Sequence, residues 1–144
     1  MNLFIRIAIV TFIFSCIIGA KNNANAQIRN VINHFGKAEQ ACLDKGIHMS
    51  NCSYRYMLQM DSLLNIEYKT VYTKLSHDRQ VAFRKEELAW IKQKDSYFKK
   101  EDSKRANGNS SEGLQGEDLD MTIYDNKASY IQKRILQIED KWNK

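Results

Sequence analysis

Apolar residues beyond residue 26 recur at steps of three and four, and no stretch keeps a two-residue alternation of apolar and polar residues. Steps of three and four place side chains on one face of an α-helix, so the pattern predicts helices throughout. A first helix carries its apolar face at Ile28, Val31, Ile32, Phe35, Ala38 and Cys42. A second, longer helix carries its apolar face at Met57, Met60, Leu64, Tyr68, Val71 and Leu75.

A third helix, predicted from about residue 79 to residue 103, carries two apolar stripes. One stripe consists of Val81, Leu88, Ile91 and Phe98, and the other of Phe83, Trp90 and Tyr97. A helix that is apolar on two sides is usually sandwiched between neighbours, although the sequence leaves open whether the aromatic stripe is buried or exposed. Gly46 is expected to end the first helix, and Ser50 and Asp78 are expected to cap the second and third.

Residues 106–120 are rich in Gly, Asn and Ser, a composition that buries little apolar surface and predicts a mobile polar loop. The last helix has the most regular pattern, with apolar residues at Tyr124, Ala128, Ile131, Ile135, Ile138 and Trp142. A chain of 144 residues has room for one small domain. The predicted fold class is therefore all-α: a small antiparallel helical bundle of three long helices and one shorter N-terminal helix.

The amino terminus has the order of a secretory signal peptide. A basic start precedes an apolar run over residues 7–20, and Ala24 and Ala26 form a small-x-small cleavage site. The run is too short and wrongly flanked for a membrane-spanning helix. These features predict a signal peptide over residues 1–26 and a mature domain, residues 27–144, that is periplasmic or secreted.

Export also bears on the cysteines. A lipoprotein anchored at Cys16 is the alternative to simple cleavage, but the bulky Phe14 and the continuing apolar run fit that processing site poorly. Cys42 and Cys52 remain, ten residues apart. Outside the cytoplasm such a pair in a small domain is more often a disulfide than a redox or metal site, so one disulfide is predicted.

The charge of the mature chain is mildly basic. Removal of residues 1–26 leaves 20 basic and 17 acidic residues, a net charge of +3. A nucleic-acid-binding protein would need its Lys and Arg gathered on one face. Here bases alternate with acids, as over residues 84–87 and 99–102, which favours a solvated surface and no nucleic-acid partner.

Residues that could support catalysis are few. His34, His48 and His77 are scattered without four-residue spacing, so neither a metal nor another cofactor is expected. Ser76, His77 and Asp78 are adjacent, and adjacent side chains cannot act on one another as a triad. No catalytic residue is assigned, and the chain is predicted not to be an enzyme.

One set of residues resembles a known family: Cys52, Asp61, Leu64, Asn65, Tyr68, Leu75, Arg79, Ala89, Trp90, Lys94, Asp95, Arg134 and Leu136. Its most specific parts are the Cys, Asp, Leu-Asn and Tyr spacing in the second helix and the Ala-Trp followed by a basic-Asp pair in the third. With this set, residues 41–138 resemble the lysozyme inhibitor LprI-like family of small exported bacterial proteins.

The chain departs from the family pattern at two positions where the family usually has cysteine. Phe98 and Asn126 occupy these positions here. Their joint loss is expected if the two family cysteines are partners of each other. The resemblance therefore implies that Cys42 pairs with Cys52, and that the junction of the third and fourth helices is held less tightly than in relatives.

The resemblance implies an exported, non-catalytic protein of the bacterial envelope that binds a protein partner, with lysozyme or another cell-wall hydrolase expected. An immunity or envelope-stress protein that binds a different toxin would have the same sequence features. Animal-type lysozymes are strongly basic, so an inhibitor should present acidic residues to them. A net charge of +3 does not favour that target, and the acidic group that could locally reverse it consists of Glu112, Glu117, Asp118 and Asp120.

Six residues of the family pattern form the candidate site: Asp61, Asn65, Tyr68, Trp90, Asp95 and Arg134. The favoured interpretation is a polar network between helices, in which Arg134 pairs with Asp61 or Asp95. Polar side chains inside a bundle must be hydrogen-bonded, and such a network would set the helix register. The alternative is a partner-binding site at the same residues.

Overall fold

The computed structural model describes residues 26–106 and 113–143, and these residues form four helices. They are α1, residues 26–43; α2, Met49–Lys74; α3, His77–Ala106; and α4, Gly116–Trp142. The described residues contain no strand, so the predicted all-α bundle of three long helices and one shorter helix is confirmed. Residues 1–25, which include Cys16 and most of the predicted signal peptide, lie outside the described residues.

The helices α2 and α4 form the centre of the bundle. They run parallel to each other, and their mutual contact is more extensive than the contact of either helix with α3. At one end, the backbone N–H and the hydroxyl of Ser50 both donate to Glu117 Oε1. At the other end, Lys74 Nζ donates to Asn143 Oδ1 over 3.3 Å. The helices α1 and α3 run in the opposite direction, which completes the up-and-down order.

The core is built around α4, because its apolar residues at steps of four and three face inward. Ile131, Ile135 and Ile138 are buried almost completely. Near the end of α4, Trp142 packs against Phe83 of α3, with ring centroids 4.9 Å apart. Each buried side chain of this size contributes roughly 1.5–3 kcal/mol. The other helices therefore assemble on α4.

The shorter helix α1 is attached near both of its ends. Ile28 and Ile32 are buried in the core. At the other end, Cys42 is bonded to Cys52 at the start of α2, with a Cα–Cα distance of 5.8 Å. The predicted disulfide is therefore confirmed. Closing a loop of ten residues stabilises the fold by on the order of 2–3 kcal/mol.

The two apolar stripes of α3 differ in burial. Phe83 and Trp90 of the aromatic stripe are buried. Val81, Leu88 and Ile91 of the other stripe are 59%, 55% and 37% exposed. The prediction that α3 is sandwiched between neighbours is therefore wrong. Because α2 and α4 form the central pair, α3 lies on the outside of the bundle and has neighbours on one side.

The predicted capping residues of α2 and α3 do not occupy the capping positions. His48, with a φ of 52, precedes α2, and no side chain caps the helix. Ser50 lies inside the first turn and bonds to Glu117 instead. Asp78 also lies inside the first turn of its helix. Gly46 adopts a φ of 66 in the turn after α1, a left-handed conformation that glycine favours.

The predicted polar loop over residues 106–120 is too long. Ala106 is the last residue of α3 and Gly116 the first of α4, while residues 107–112 lie outside the described part. The first turn of α4 forms because Leu119 is buried in the bundle. Acidic side chains in that turn also favour a helix amino terminus.

Candidate functional site

A groove of about 260 Å³ lies between α2 and α3. These two helices approach each other less closely than either approaches α4. The polar and aromatic lining consists of Asp61, Asn65 and Tyr68 from α2 and Arg84, Glu87, Trp90 and Lys94 from α3. Four of the six predicted site residues are in that lining, so we name it the motif groove.

The α2 wall of the motif groove offers accessible polar groups. Asn65 Nδ2 donates to the Asp61 carbonyl oxygen over 2.9 Å and lies 3.5 Å from Asp61 Oδ2. Asn65 is exposed and Asp61 half-buried. One turn further along, Tyr68 packs against Phe83 with ring centroids 4.8 Å apart. The α2 wall therefore presents the Asp61 carboxylate and the Asn65 amide next to the aromatic ring of Tyr68.

The floor of the groove is aromatic. Trp90 is buried and stacks on Tyr130 of α4 at 5.9 Å, and Tyr130 stacks on Tyr97 at 4.5 Å. Two cations lie over the Trp90 ring: Lys94 Nζ is 6.0 Å from its centroid and the Arg134 guanidinium carbon is 5.7 Å from it. Such cation–π contacts stabilise the position of both the ring and the charges.

Behind the floor, Arg134 joins α4 to α3. Its side chain is only 4% exposed. Nε and Nη2 donate to Glu87 Oε2 over 3.0 and 2.7 Å, and Nη1 donates to Glu86 Oε1 over 2.8 Å. Two adjacent acids thus bind one buried guanidinium, and one of them, Glu87, also lines the motif groove.

Glu86 is the centre of a wider charge cluster. Burial raises its pKa, but hydrogen bonds from Lys141, Arg134 and Trp142 outweigh that effect and lower the pKa to about 2. Lys141 Nζ donates to Oε2 over 2.5 Å, and Trp142 Nε1 donates to Oε1 over 3.3 Å. A carboxylate held in this way stays ionised near neutral pH and links the helices.

The predicted pairing of Arg134 with Asp61 or Asp95 is wrong. The acids that it binds are the two adjacent glutamates described above. The Asp95 side chain is 67% exposed, and its nearest cation is the neighbouring Lys94 at 3.6 Å. Asp95 follows Glu87 by eight residues, which turns it about 80° away around the helix, and it lies outside the motif groove.

The sequence reasoning missed Glu86 and Glu87. The sequence does contain a signal for Glu87, which follows Phe83 by four residues and precedes Trp90 by three. It therefore belongs to the same helix face as the aromatic stripe. An acid on a buried face has to be paired or protonated, and a cation from another helix is one way to pair it.

The two positions at which the family pattern expects cysteine lie where α3 meets α4. Asn126 Nδ2 donates to Glu101 Oε2 over 3.0 Å. The neighbouring Lys127 Nζ donates to Asp102 Oδ1 over 2.6 Å and lies 5.1 Å from the centroid of the Phe98 ring. Polar and cation–π contacts therefore join the helices here.

Two pairs of carboxyl groups lie between helices, away from the motif groove. Glu39 of α1 faces Asp125 of α4, and Glu67 of α2 faces Glu139 of α4. Burial, reinforced by the charge and hydrogen bonding of the facing acid, raises the pKa of Glu39 and of Glu67 to about 7. Two facing carboxyl groups disfavour each other's charged form, so Glu39 and Glu67 bind a proton at a higher pH than an isolated glutamate does.

The histidines do not form a site in the structure. His34, His48 and His77 are all exposed and lie on separate elements. Among residues 26–106 and 113–143, no group of three or more metal-binding side chains is arranged to hold a metal ion. No helix in this part of the chain is long and apolar enough to cross a membrane.

The model of the family described as lysozyme inhibitor LprI matches residues 37–137, more than half of the chain. The chain belongs to the lysozyme inhibitor LprI family. Comparisons with curated proteins and with solved structures gave no significant match. The region that matches the LprI family contains the disulfide, every residue of the motif groove and Arg134.

Proposed function

We propose that the protein is an exported, non-catalytic inhibitor of a lysozyme or a related cell-wall hydrolase, and that it binds this enzyme through the motif groove. The proposal rests on the observation that four residues of the family pattern meet in one groove within the LprI region. Asp61, Asn65, Tyr68 and Trp90 come from two helices and line one accessible groove. Residues that only maintain the bundle would not need to meet at its surface.

The polar groups of the groove divide into two kinds. Glu87 is bound by the buried Arg134 from behind. Asp61, in contrast, has no ion pair with any residue in the described part of the chain, and the amide of Asn65 is exposed. The α2 wall therefore has hydrogen-bonding capacity that a partner protein can use, while Glu87 on the α3 wall is already paired within the bundle.

A binding role also fits the chemistry of the site better than catalysis does. General acid–base catalysis needs a group whose pKa lies near the working pH and that reaches the substrate. Glu86 has a pKa of about 2, and Glu87 is bound to Arg134. The disulfide supports export, since such bonds persist outside the reducing cytoplasm.

A clearing assay tests the proposal. The oxidised chain from Gln27 onward is added to a lysozyme acting on bacterial cell walls, and we expect a dose-dependent slowing of clearing. The double variant Asp61→Ala, Asn65→Ala should need at least about tenfold more protein for the same effect, because two central polar contacts are lost. Its free energy of unfolding should change by less than about 1 kcal/mol, since both side chains reach solvent.

The matched control is Asp140→Ala, which removes an exposed carboxylate from α4, outside the groove. This variant should inhibit as well as the parent chain. A parent chain that slows no cell-wall hydrolase would refute the inhibitor proposal. Inhibition that survives in the double variant would instead place the binding surface elsewhere.

An immunity or envelope-stress protein that binds a different toxin is the second candidate. The net charge of +3 after removal of residues 1–26 favours it, because a basic protein repels a basic animal-type lysozyme. Direct binding of a purified toxin, together with failure to slow any cell-wall hydrolase, would support this candidate.

A further inference from the structure

The fold places three acids and four bases of α3 on opposite sides of the helix. The acids Glu86, Glu87 and Glu101 face inward and bond to groups of α3 and α4. The bases on the other side are exposed: Arg84, Lys85, Lys92 and Lys99. None of these four forms an ion pair with another described residue. Asp95, whose side chain is 67% exposed, also lies on the outer side, about 80° around the helix from Glu87. Four exposed bases and one exposed acid therefore leave this side with a net positive charge.

The same side of α3 carries the exposed aliphatic residues. Val81, Leu88 and Ile91 lie among the bases, and we name this surface, from Val81 to Lys99, the outer face of α3. Val81 and Leu88 line a shallow depression together with Tyr72 of α2. Leu88 also lines the motif groove, so the two surfaces are continuous.

We propose that the outer face of α3 binds an acidic protein surface, and that the target is therefore a cell-wall hydrolase of negative charge and not a basic animal-type lysozyme. The choice of a hydrolase rests on the function proposed above. Exposed bases around an apolar centre are complementary to a surface with carboxylates around an apolar side chain. A basic lysozyme that approached this face would meet like charges.

The shape of the face favours a protein over a lipid membrane. Peripheral helices bury a broad apolar face in the lipid interface. Here Leu88 lines two concave surfaces, and the aliphatic residues are only partly exposed. A depression of this kind accepts a protruding side chain of a partner, as apolar pockets at protein interfaces do.

The test compares two muramidases, one with negative and one with positive net charge at neutral pH. Their affinity for the oxidised chain and the inhibition of their lytic activity are measured. We expect the negatively charged enzyme to bind at least about tenfold more tightly, with an affinity that falls as salt is added. The triple variant Lys85→Glu, Lys92→Glu, Lys99→Glu should lower that affinity at least about tenfold.

The matched control is the triple variant Lys37→Glu, Lys45→Glu, Lys133→Glu. It changes the net charge equally through exposed lysines of α1, the turn after α1 and α4. It should lower the affinity less than about threefold, because distant exposed charges are screened by salt. A second variant, Val81→Ser with Leu88→Ser, should also lose affinity, while the melting curve shows that the chain stays folded.

The outcomes separate the two proposals. Inhibition of the basic enzyme that is unaffected by the outer-face variants would overturn the present inference and leave the inhibitor function standing. No binding or inhibition of either muramidase would overturn both. If neither enzyme binds but vesicles of phosphatidylglycerol and phosphatidylcholine do, and the lysine variant abolishes this, then the face is a membrane surface and the inference is wrong.

Discussion

Arg134 of α4 donates two hydrogen bonds to a single carboxylate oxygen of Glu87 on α3, from Nε over 3.0 Å and from Nη2 over 2.7 Å. The Arg134 side chain is 4% exposed and that of Glu87 is 11% exposed. This ion pair lies directly behind the motif groove and positions one of its walls. Its energetic role follows from burial, since a buried charge that loses its partner is costly.

Arg134→Ala should therefore be strongly destabilising. Removing the guanidinium leaves Glu87 buried without its counter-charge, and the expected loss is about 3–5 kcal/mol. Urea unfolding of the variant beside the parent chain measures this loss.

Arg105→Ala is the control, because Arg105, at the end of α3, bonds to the exposed Asp102 and to Asp120 of α4. It should cost under about 1 kcal/mol. Equal, small losses in the two variants would contradict a structural role for Arg134.

The disulfide should contribute measurably to stability. Cys42→Ser or Cys52→Ser opens a loop of ten residues, and the expected loss is about 2–3 kcal/mol. Chemical unfolding of the variants, compared with the parent chain before and after reduction, measures it. Reduction should weaken the parent chain to the level of the variants and leave the variants unchanged. Two thiols that label in the unfolded, unreduced chain would refute the bond.

Stability should fall as the pH rises from about 5 to about 8. The pKa of Glu39 and of Glu67 is raised from 4.5 to about 7, so the folded chain binds more protons than the unfolded chain between these values. That stabilisation is complete below pH 4.5 and is lost as the pH passes through about 7. Glu86 acts in the opposite sense, because its pKa is lowered to about 2 and its contribution is lost as the pH falls from 4.5 towards 2.

Melting temperatures over this pH range measure the effect, and a maximum is expected near pH 5. Glu67→Gln, which imitates the protonated acid, should flatten the decline above the maximum. Asp95→Asn, which changes an exposed carboxylate, should leave the profile as it is. A parent chain with constant stability between pH 5 and pH 8 would contradict the raised pKa of Glu39 and of Glu67.

The two stripes of α3 should differ sharply in mutational sensitivity. Phe83→Ala removes a completely buried ring from contact with Tyr68 and Trp142, at an expected cost of about 3–5 kcal/mol. Leu88→Ala truncates a side chain that is 55% exposed, and it should change stability by less than about 0.5 kcal/mol. Denaturant unfolding of both variants measures these losses. Equal losses of unfolding free energy would mean that both stripes are buried.

Much of the fold could be predicted from spacing alone. The apolar steps in α4, from Ile131 to Ile138, identify a helix and its buried face without any knowledge of neighbours. The pairing of Cys42 with Cys52 followed from the predicted export and from their separation of ten residues. The candidate site was predicted only in part, since Asp61 and Asn65 share a helix face by their four-residue spacing, whereas the acids that bind Arg134 were assigned incorrectly.

The sequence by itself determined which segments become helices and where apolar side chains gather, because helix period and turn composition are local properties of the chain. Only the tertiary structure decided that α2 and α4 form the central pair and that α3 lies outside them. That arrangement exposes Val81 and Leu88 and turns Glu87 towards Arg134. The physical reason is the helical rotation of about 100° between neighbouring residues. The side of α3 that meets other helices therefore decides that Glu87 is buried and that the adjacent Leu88 is exposed.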